Sequence, residues 1–485
     1  MTRLKRLDVV RKLSQEKPKW IHKDIFRLLW KKEIWLLAYE NIKKKNRKFL
    51  IDGIKHTFNK ADIDKIENLQ QKVINESYQF KPIKQALISK ENGKMQTFKL
   101  STIDDIIVQE VIQIILEAIF EPIFDNRSFG FRSGMGVHNA LKYVDEEFSS
   151  MEWIIKSDQK LVFNNSILRS VLLHKIDDSR FLRLINKLLK NGTSFWKVGV
   201  DTNPATIFSN LGVPQETSIS PILVNIYFDR FDKFITQKEI EYFSPNSSKR
   251  NLIYNQLIME KDKKSNLLDK EVKIRYVRYA HQWMIGIKGP HILVKILKNE
   301  VENFFQRDLK EKFNLNKVKV IHLQSEKIFF LGYDIFLLKN QKQLRQKSRL
   351  RFQLPVKIII QCLNERGYIT YKKNKWKPIS KSNYTILEDE IIVQHFQSVW
   401  LSFLNFYSGT TNISHLQYVH YLLHMSCAMT LAHRHRLSIK KIFKKHGKRL
   451  EILDQTKIPS KVLAYFPYKI NWKVNERQWQ IIKDF

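Results

Sequence analysis

The chain has 485 residues, 43% of them hydrophobic, and a formal charge of +37. That excludes a disordered basic tail and allows two to four domains with substantial cores. Its two cysteines, Cys362 and Cys427, exclude a disulfide framework or cysteine-rich zinc module, and no run of about 18 uncharged apolar residues is present to span a membrane.

The 85 basic against 48 acidic residues favour a polyanionic partner, because each neutralised phosphate releases counterions. A membrane surface or a ribosome-like assembly would also suit the charge. A/T-rich codon usage contributes too, as the abundant Lys, Asn, Ile and Phe and the 14 glycines indicate. The basic N-terminus, MTRLKRLDVVRKLSQEKPKW, lacks an apolar signal core and reads as a first helix or a short amphipathic targeting segment.

In chain order, residues 20–80 carry apolar residues at helical spacing, with Asp52-Gly53 as a turn between helices. Residues 90–94 form a second turn, flanked by Ala86, Leu87, Ile88 and by Met95 and Phe98, which predicts a hairpin. Thr102 to Phe120 has a Thr start, Asp104 and Asp105 in its first turn, and a stop at Pro122; it predicts a helix. Residues 153–158 predict a strand ending in a carboxylate, and 177–190 and 219–234 predict helices. Residues 243–271 are polar and charged and read as a surface insertion, and 326–338 read as one strand.

Composition shifts near residue 340, where 341–351 form a basic linker or helix start. A small hairpin is expected around Tyr368 to Trp376, and a helical pattern throughout 394–446. Phe396, Val399, Trp400, Phe403, Leu404 and Tyr407 form an apolar stripe, as do Leu416, Val419, Leu422, Leu423 and Cys427; core packing is the simple reading of both.

Between the strand-like runs 274–278 and 283–287 stand Tyr279-Ala280-His281-Gln282, where a hairpin turn falls. Earlier come IFDNRSFGFRSGMGVHNAL (123–141), WIIKSDQKLVFNN (153–165) and LGVPQETSISPILVNIY (211–227); later come FFLGY (329–333) and SCAMTLAHRHRLSIKKIFKKHGK (426–448). These motifs, in this order, resemble those of group II intron-encoded proteins, the reverse transcriptase-like maturases, over about residues 20–450. The resemblance implies an α/β (α+β) right-hand polymerase-like body of fingers and palm, then a mainly α-helical thumb and maturase domain. The expected division is 1–80 for an N-terminal helical extension, 81–340 for fingers and palm, and 341–485 for thumb and maturase.

The family writes Tyr-Ala-Asp-Asp at the palm hairpin; here His281 and Gln282 replace both carboxylates. Two Mg2+ ions need several carboxylate oxygens, and only Asp158 remains. Glu216 in Pro214-Gln215-Glu216 puts an anion where the family has a glycine, and Met95-Gln96-Thr97-Phe98-Lys99 departs from the family's usual sequence. The resemblance therefore makes Asp158, His281 and Gln282 vestigial palm positions, with no catalytic residue and no metal or other cofactor bound by the protein. Mg2+ would be required by the intron RNA. A rebuilt site on Asp158 and His281 with a softer metal, or a weak or altered reverse transcriptase, are the enzymatic alternatives. No cysteine follows Cys427, so the nuclease that some family members carry at this end is not expected.

The best functional signal is the cationic stretch with Arg434, Arg436, Lys440, Lys441, Lys444, Lys445 and Lys448, whose lysines would share one helix face; no acid lies between 428 and 450. These residues are the expected contacts to RNA phosphates, the arginines also offering a planar fork. His433 and His435 as zinc ligands are an alternative without a nearby cysteine. The basic run Lys43, Lys44, Lys45, Arg47 and Lys48 would help grip RNA by the same resemblance. The expected partner is group II intron RNA, with no membrane, as a monomer or dimer. Codon bias suggests an organelle, a plastid before a mitochondrion, with bacteria open.

Overall fold

The computed structural model describes residues 5–44, 49–51, 54–56, 63–89, 95–157, 164–190, 193–196, 206–207, 218–243, 272–309, 318–337, 350–454 and 461–467. The expected insertion at 243–271, the Pro214-Gln215-Glu216 stretch, Asp158 and the basic run 45–48 lie wholly or almost wholly outside them. The chain divides into two compact units, residues 1–140 with 150–320, and residues 141–149 with 321–485.

The first unit opens with helix α1 (Lys5–Glu16), strand β1 (His22–Lys23), a 3-10 turn at Ile25–Trp30 and helix α2 (Lys32–Lys44). A short hairpin follows, β2 (Phe49–Ile51) and β3 (Ile54–His56), then α3 (Ile63–Ile74). Two strands therefore stand between α2 and α3 where only helices were expected, and the expected turn at Asp52-Gly53 lies outside the described residues. Strands β4 (Ile83–Ser89) and β5 (Met95–Leu100) form the hairpin expected around 90–94.

Helix α4 (Ile103–Phe120) starts where expected: the Thr102 hydroxyl accepts the Asp105 N–H at 3.2 Å. It is apolar on most of its circumference and is buried accordingly, and its Ile107, Val111, Ile115 and Ile119 run through the unit's continuous core. Helix α5 (Val137–Glu147) spans the division between the units.

Next come β6 (Trp153–Ser157), α6 (Asn165–Leu173), β7 (Ile176–Asp177), α7 (Ser179–Leu189), β8 (Thr193–Trp196), β9 (Thr206–Ile207) and α8 (Ser220–Phe243). Asp178 sets the start of α7: Oδ1 accepts the N–H groups of Arg180 and Phe181, and Oδ2 that of Phe26 at 2.7 Å. One carboxylate thereby caps a helix and ties down the N-terminal segment. Strands β10 (Lys273–Tyr279) and β11 (Gln282–Lys288) pair antiparallel, and β11 pairs antiparallel with β6. Helix α9 (His291–Arg307) follows, and β12 (Lys319–His322) straddles the division.

In the second unit, β13 (Ile328–Phe330) and β14 (Tyr333–Leu337) form a hairpin closed by Leu331 and Gly332, at φ 47° and 83°. The single strand expected over 326–338 is corrected to this hairpin. Its alternation runs unbroken through the turn because an apolar leucine occupies a left-handed position. Gly332 is required there, since a Cβ would lie 2.8 Å from the Phe406 ring. Strand β15 (Leu350–Gln353) pairs with β14, so the end of the expected linker 341–351 is a strand.

Helix α10 (Val356–Glu365) leads to the expected hairpin, β16 (Ile369–Lys372) and β17 (Lys375–Pro378). Helices α11 (Asp389–Phe406), α12 (Ile413–His435) and α13 (Ile439–His446) follow, with β18 (Ile452–Asp454) and β19 (Lys461–Ala464) after them. The helical pattern over 394–446 is therefore interrupted twice. Near 411 the chain turns back to bond the Phe352 carbonyl through Thr411 N–H at 2.7 Å. At Arg436 (φ 52°) it turns again before Ser438 caps α13. The α12 stripe packs as expected, with Leu416, Val419, Leu422, Leu423 and Cys427 buried; of the α11 stripe Phe396, Trp400 and Leu404 are buried, with Tyr407 just beyond the helix, while Val399 and Phe403 are only half-buried. Among the described residues no helix is long and apolar enough to cross a membrane.

Candidate functional site

The turn between β10 and β11 is built from the inside outward. Tyr279 and Gln282 face each other, and Ala280 sits in the left-handed region at φ 55°. For a residue with a Cβ that conformation costs roughly 1–2 kcal/mol, so the surroundings must hold it. Arg278 does so. Its Nη1 donates to the Ala280 carbonyl at 2.9 Å and to Asn225 Oδ1 at 3.1 Å. Its Nε and Nη2 donate to Asp232 Oδ1 and Oδ2 at 2.7 and 2.6 Å. Tyr276 donates its hydroxyl proton to Asp232 Oδ1 at 2.6 Å.

Burial opposes the charge on Arg278, but the Asp232 carboxylate wins and raises the guanidinium above its ordinary pKa. Burial, and then the charge of Asp232, hold the Tyr276 phenol protonated far beyond its usual range.

The second support is the turn at 127–131. Phe129 N–H donates to the Arg278 carbonyl at 2.8 Å and Arg278 N–H to the Arg127 carbonyl at 2.9 Å. Asn225 Nδ2 holds the Gly130 carbonyl at 2.8 Å, and a Cβ on Gly130 would lie 2.2 Å from Ala280 N. The glycine of the Ser-Phe-Gly-Phe-Arg run is thus fixed by backbone-to-backbone contact. Arg127 is held in turn by Asp125 and Glu239, at 2.7 and 2.6 Å.

His281 and Gln282 are half-buried beside the turn. Strand β6 pairs with β11 as far as Ser157 opposite Trp283, one residue short of Asp158, which lies outside the described residues. An imidazole and a neutral amide suit a hard Mg2+ poorly. Among the described residues no group of three or more His, Cys, Asp or Glu is placed to hold a metal ion.

The second candidate surface is cationic and lies on α13. Ile442 is buried and Phe443 half-buried, which turns Lys440, Lys441, Lys444 and Lys445 outward, all exposed. None of the four belongs to an ion pair among the described residues. Lys444 and Lys445 sit in the last turn, where a cation suits the helix dipole; Lys440 and Lys441 sit in the first, where it does not, at about 0.3–1 kcal/mol each. Helix stability does not account for that placement.

Two expectations are corrected here. Helix α13 ends at His446 with Gly447 at φ 65°, so exposed Lys448 lies beyond the helix and does not share its face. Its carbonyl accepts the His424 ring N–H at 2.9 Å.

Arg434 is committed within the protein. Its Nε pairs with Asp389 Oδ1 at 2.9 Å, and Nη1 donates to the Thr385 carbonyl at 3.1 Å and to that of Leu387. The balancing acid absent from 428–450 is supplied from α11. Arg436 is exposed. His433 meets Ser380 Oγ and His435 meets Asp389, so the two histidines serve separate partners.

Comparison with known proteins gives two family matches. Residues 88–335 match a reverse transcriptase (RNA-dependent DNA polymerase) model, and residues 347–482 match a type II intron maturase model. An uncharacterized 91 kDa protein in a cob intron of Schizosaccharomyces pombe is 28% identical over 97% of this chain and 62% of its own length. A putative COX1/OXI3 intron 2 protein of Saccharomyces cerevisiae is 29% identical over 90% of this chain and 55% of its own. The group II intron-encoded protein LtrA of Lactococcus lactis is 27% identical, covering 90% and 78%. The chain thus spans little more than half the length of the two fungal relatives.

Proposed function

Since this chain belongs to the reverse transcriptase family and continues into a type II intron maturase domain, we propose that it is an intron maturase. It binds a group II intron RNA and promotes its folding and splicing, while the RNA supplies the catalysis. Binding tighter to the compact ribozyme than to open forms shifts the RNA towards the compact state. Intron-encoded relatives support the partner, and the exposed lysines of α13 support contact with its phosphates.

One observation carries the absence of polymerase chemistry. The palm turn is firmly supported, from Gly130 to the Arg278–Asp232 pair, yet presents His281 and Gln282 where the resemblance places two carboxylates. A well-held turn without metal-ligating carboxylates fits a role in shape rather than in chemistry. On this reading the palm is degenerate, the protein holds no metal, and Mg2+ acts on the RNA. The site of action is an organelle, with a plastid ahead of a mitochondrion.

The competing reading is a weak or altered reverse transcriptase using Asp158. Splicing of the host intron is measured with and without the purified chain, beside primer extension in Mg2+ and Mn2+. Faster splicing without nucleotide incorporation is expected. Incorporation lost in Asp158→Asn would establish the competing reading instead.

A further inference from the structure

The β16–β17 hairpin presents a surface that the basic helix lacks. Its register sets Tyr371 directly opposite Trp376, with ring centroids 4.9 Å apart and planes inclined at 53°. Alternation places this pair on the same hairpin face as Ile369 and Pro378. Ile369 is buried in the unit's core, but two residues further out Tyr371 is 55% exposed and Trp376 half-buried. The aromatic pair therefore projects past the edge of the core.

The hairpin is also cationic. Lys372, Lys373, Lys375 and Lys377 are all exposed, and none is in an ion pair among the described residues. No acid occurs from residue 366 to 387. The turn itself, Lys373-Asn374, has both residues left-handed, at φ 51° and 58°. Such turns favour Asn-Gly, and a lysine there costs roughly 1 kcal/mol or more. A cation is thus kept at the tip against the backbone's preference.

Rings beside a cationic tip on a basic hairpin match an unpaired nucleotide, which offers a π-face and a phosphate together. A duplex hides its bases, and an acidic peptide would use the lysines but not the rings. We propose that Tyr371 and Trp376 form a stacking platform for an unpaired base of bound RNA, with Lys373 at the tip beside the adjoining phosphate and Lys372, Lys375 and Lys377, on the opposite hairpin face, adding only to the local positive field. The proposal rests on the RNA-binding reading above and gives the hairpin the single-stranded share of recognition, leaving duplex phosphates to α13.

The test uses the full chain with a fluorescein-labelled 10-nucleotide oligo-adenylate and a blunt 20-base-pair RNA duplex. Replacing both rings (Tyr371→Ala with Trp376→Ala) should weaken the single strand about tenfold or more and leave the duplex unchanged. Tyr371→Phe with Trp376→Phe should keep single-strand affinity. Tyr371→Leu with Trp376→Leu, which keeps apolar bulk, should behave like the alanine pair and covers the case where the latter does not fold. Equal affinity of the leucine and phenylalanine pairs would overturn the platform while leaving the maturase reading intact. Ring-dependent binding of oligo-glutamate without ring-dependent binding of RNA would also overturn it. A wild-type chain that binds neither RNA would sink both readings.

Discussion

Arg278 and Asp232 form a two-bond ion pair with 0% exposure on either side chain, at 2.7 and 2.6 Å. The pair joins strand β10, which leads into the turn, to the middle of helix α8. The remaining Arg278 donor group reaches the Ala280 carbonyl, so one buried guanidinium ties the helix, the strand and the turn together. The turn that presents His281 and Gln282 is thus held from behind by a buried ion pair.

Asp232→Ala leaves Arg278 charged, buried and without its counter-ion. Removing one partner of such a pair costs about 3–5 kcal/mol. Urea unfolding should show that loss in the first unit's transition. Arg278→Met with Asp232→Leu should recover much of it, because two apolar side chains need no counter-charge. A single mutant as stable as the parent would mean that the pair's geometry is not maintained in solution.

Gly130→Ala tests the second support. With a Cβ 2.2 Å from Ala280 N, and backbone on both sides, neither chain can give way cheaply. The expected cost is at least about 2 kcal/mol, in the range of overpacked cores. Gly136→Ala is the control: its nearest neighbour, Asn139 Oδ1, is 3.7 Å away, and it should be within about 0.5 kcal/mol of the parent. Thermal unfolding of the two variants measures the difference.

Local pattern made part of this architecture legible. Helix α4, the hairpins on either side of 90–94 and 373–374, the palm turn and the apolar stripes of α11 and α12 each follow from spacing within one segment. What was missed depends on distance along the chain. Asp232 lies 46 residues from Arg278 and Asp389 lies 45 from Arg434, and no local pattern marks such partners. The breaks at Arg436 and Gly447 were hidden differently. A cationic run reads as continuous helix unless the glycine is given its usual weight as a terminus, and a left-handed arginine gives no sign at all. The first gap hides the Arg434–Asp389 ion pair, and the second the place of Lys448 beyond the helix.

The α13 lysines and Arg434 should separate in two measurements. Lys440→Gln, Lys441→Gln, Lys444→Gln and Lys445→Gln together should weaken intron RNA binding. They should also lower the slope of log affinity against log salt by about 3, near 0.7–0.9 per phosphate contact. Folding stability should not fall, since Lys440 and Lys441 oppose the helix dipole. Arg434→Gln should do the reverse, reducing stability by loosening α12 from α11 while the salt slope stays unchanged. Filter binding across a potassium chloride series, with urea unfolding in parallel, distinguishes the two.

His424 makes the second unit sensitive to acid. Its ring is buried among His420, Phe443 and Phe466, and its Nε2 bonds the Lys448 carbonyl at 2.9 Å. Burial, and then the neighbouring His420, lower its pKa from 6.5 to about 4, while the bond to the carbonyl works the other way. Between pH 6.5 and about 4 the unfolded chain therefore takes up a proton that the folded chain refuses. Stability from this group is complete above 6.5, declines through that window and declines no further below it. Allowing for partial exposure, the loss is on the order of 2 kcal/mol. His420 and His446, also lowered chiefly by burial, add loss of the same sign. His424→Gln removes the titrating group but keeps a donor for the Lys448 carbonyl. Urea unfolding at pH 7 and pH 4.5 should show a smaller pH difference in that variant than in the parent, and an unchanged difference would remove His424 as the cause.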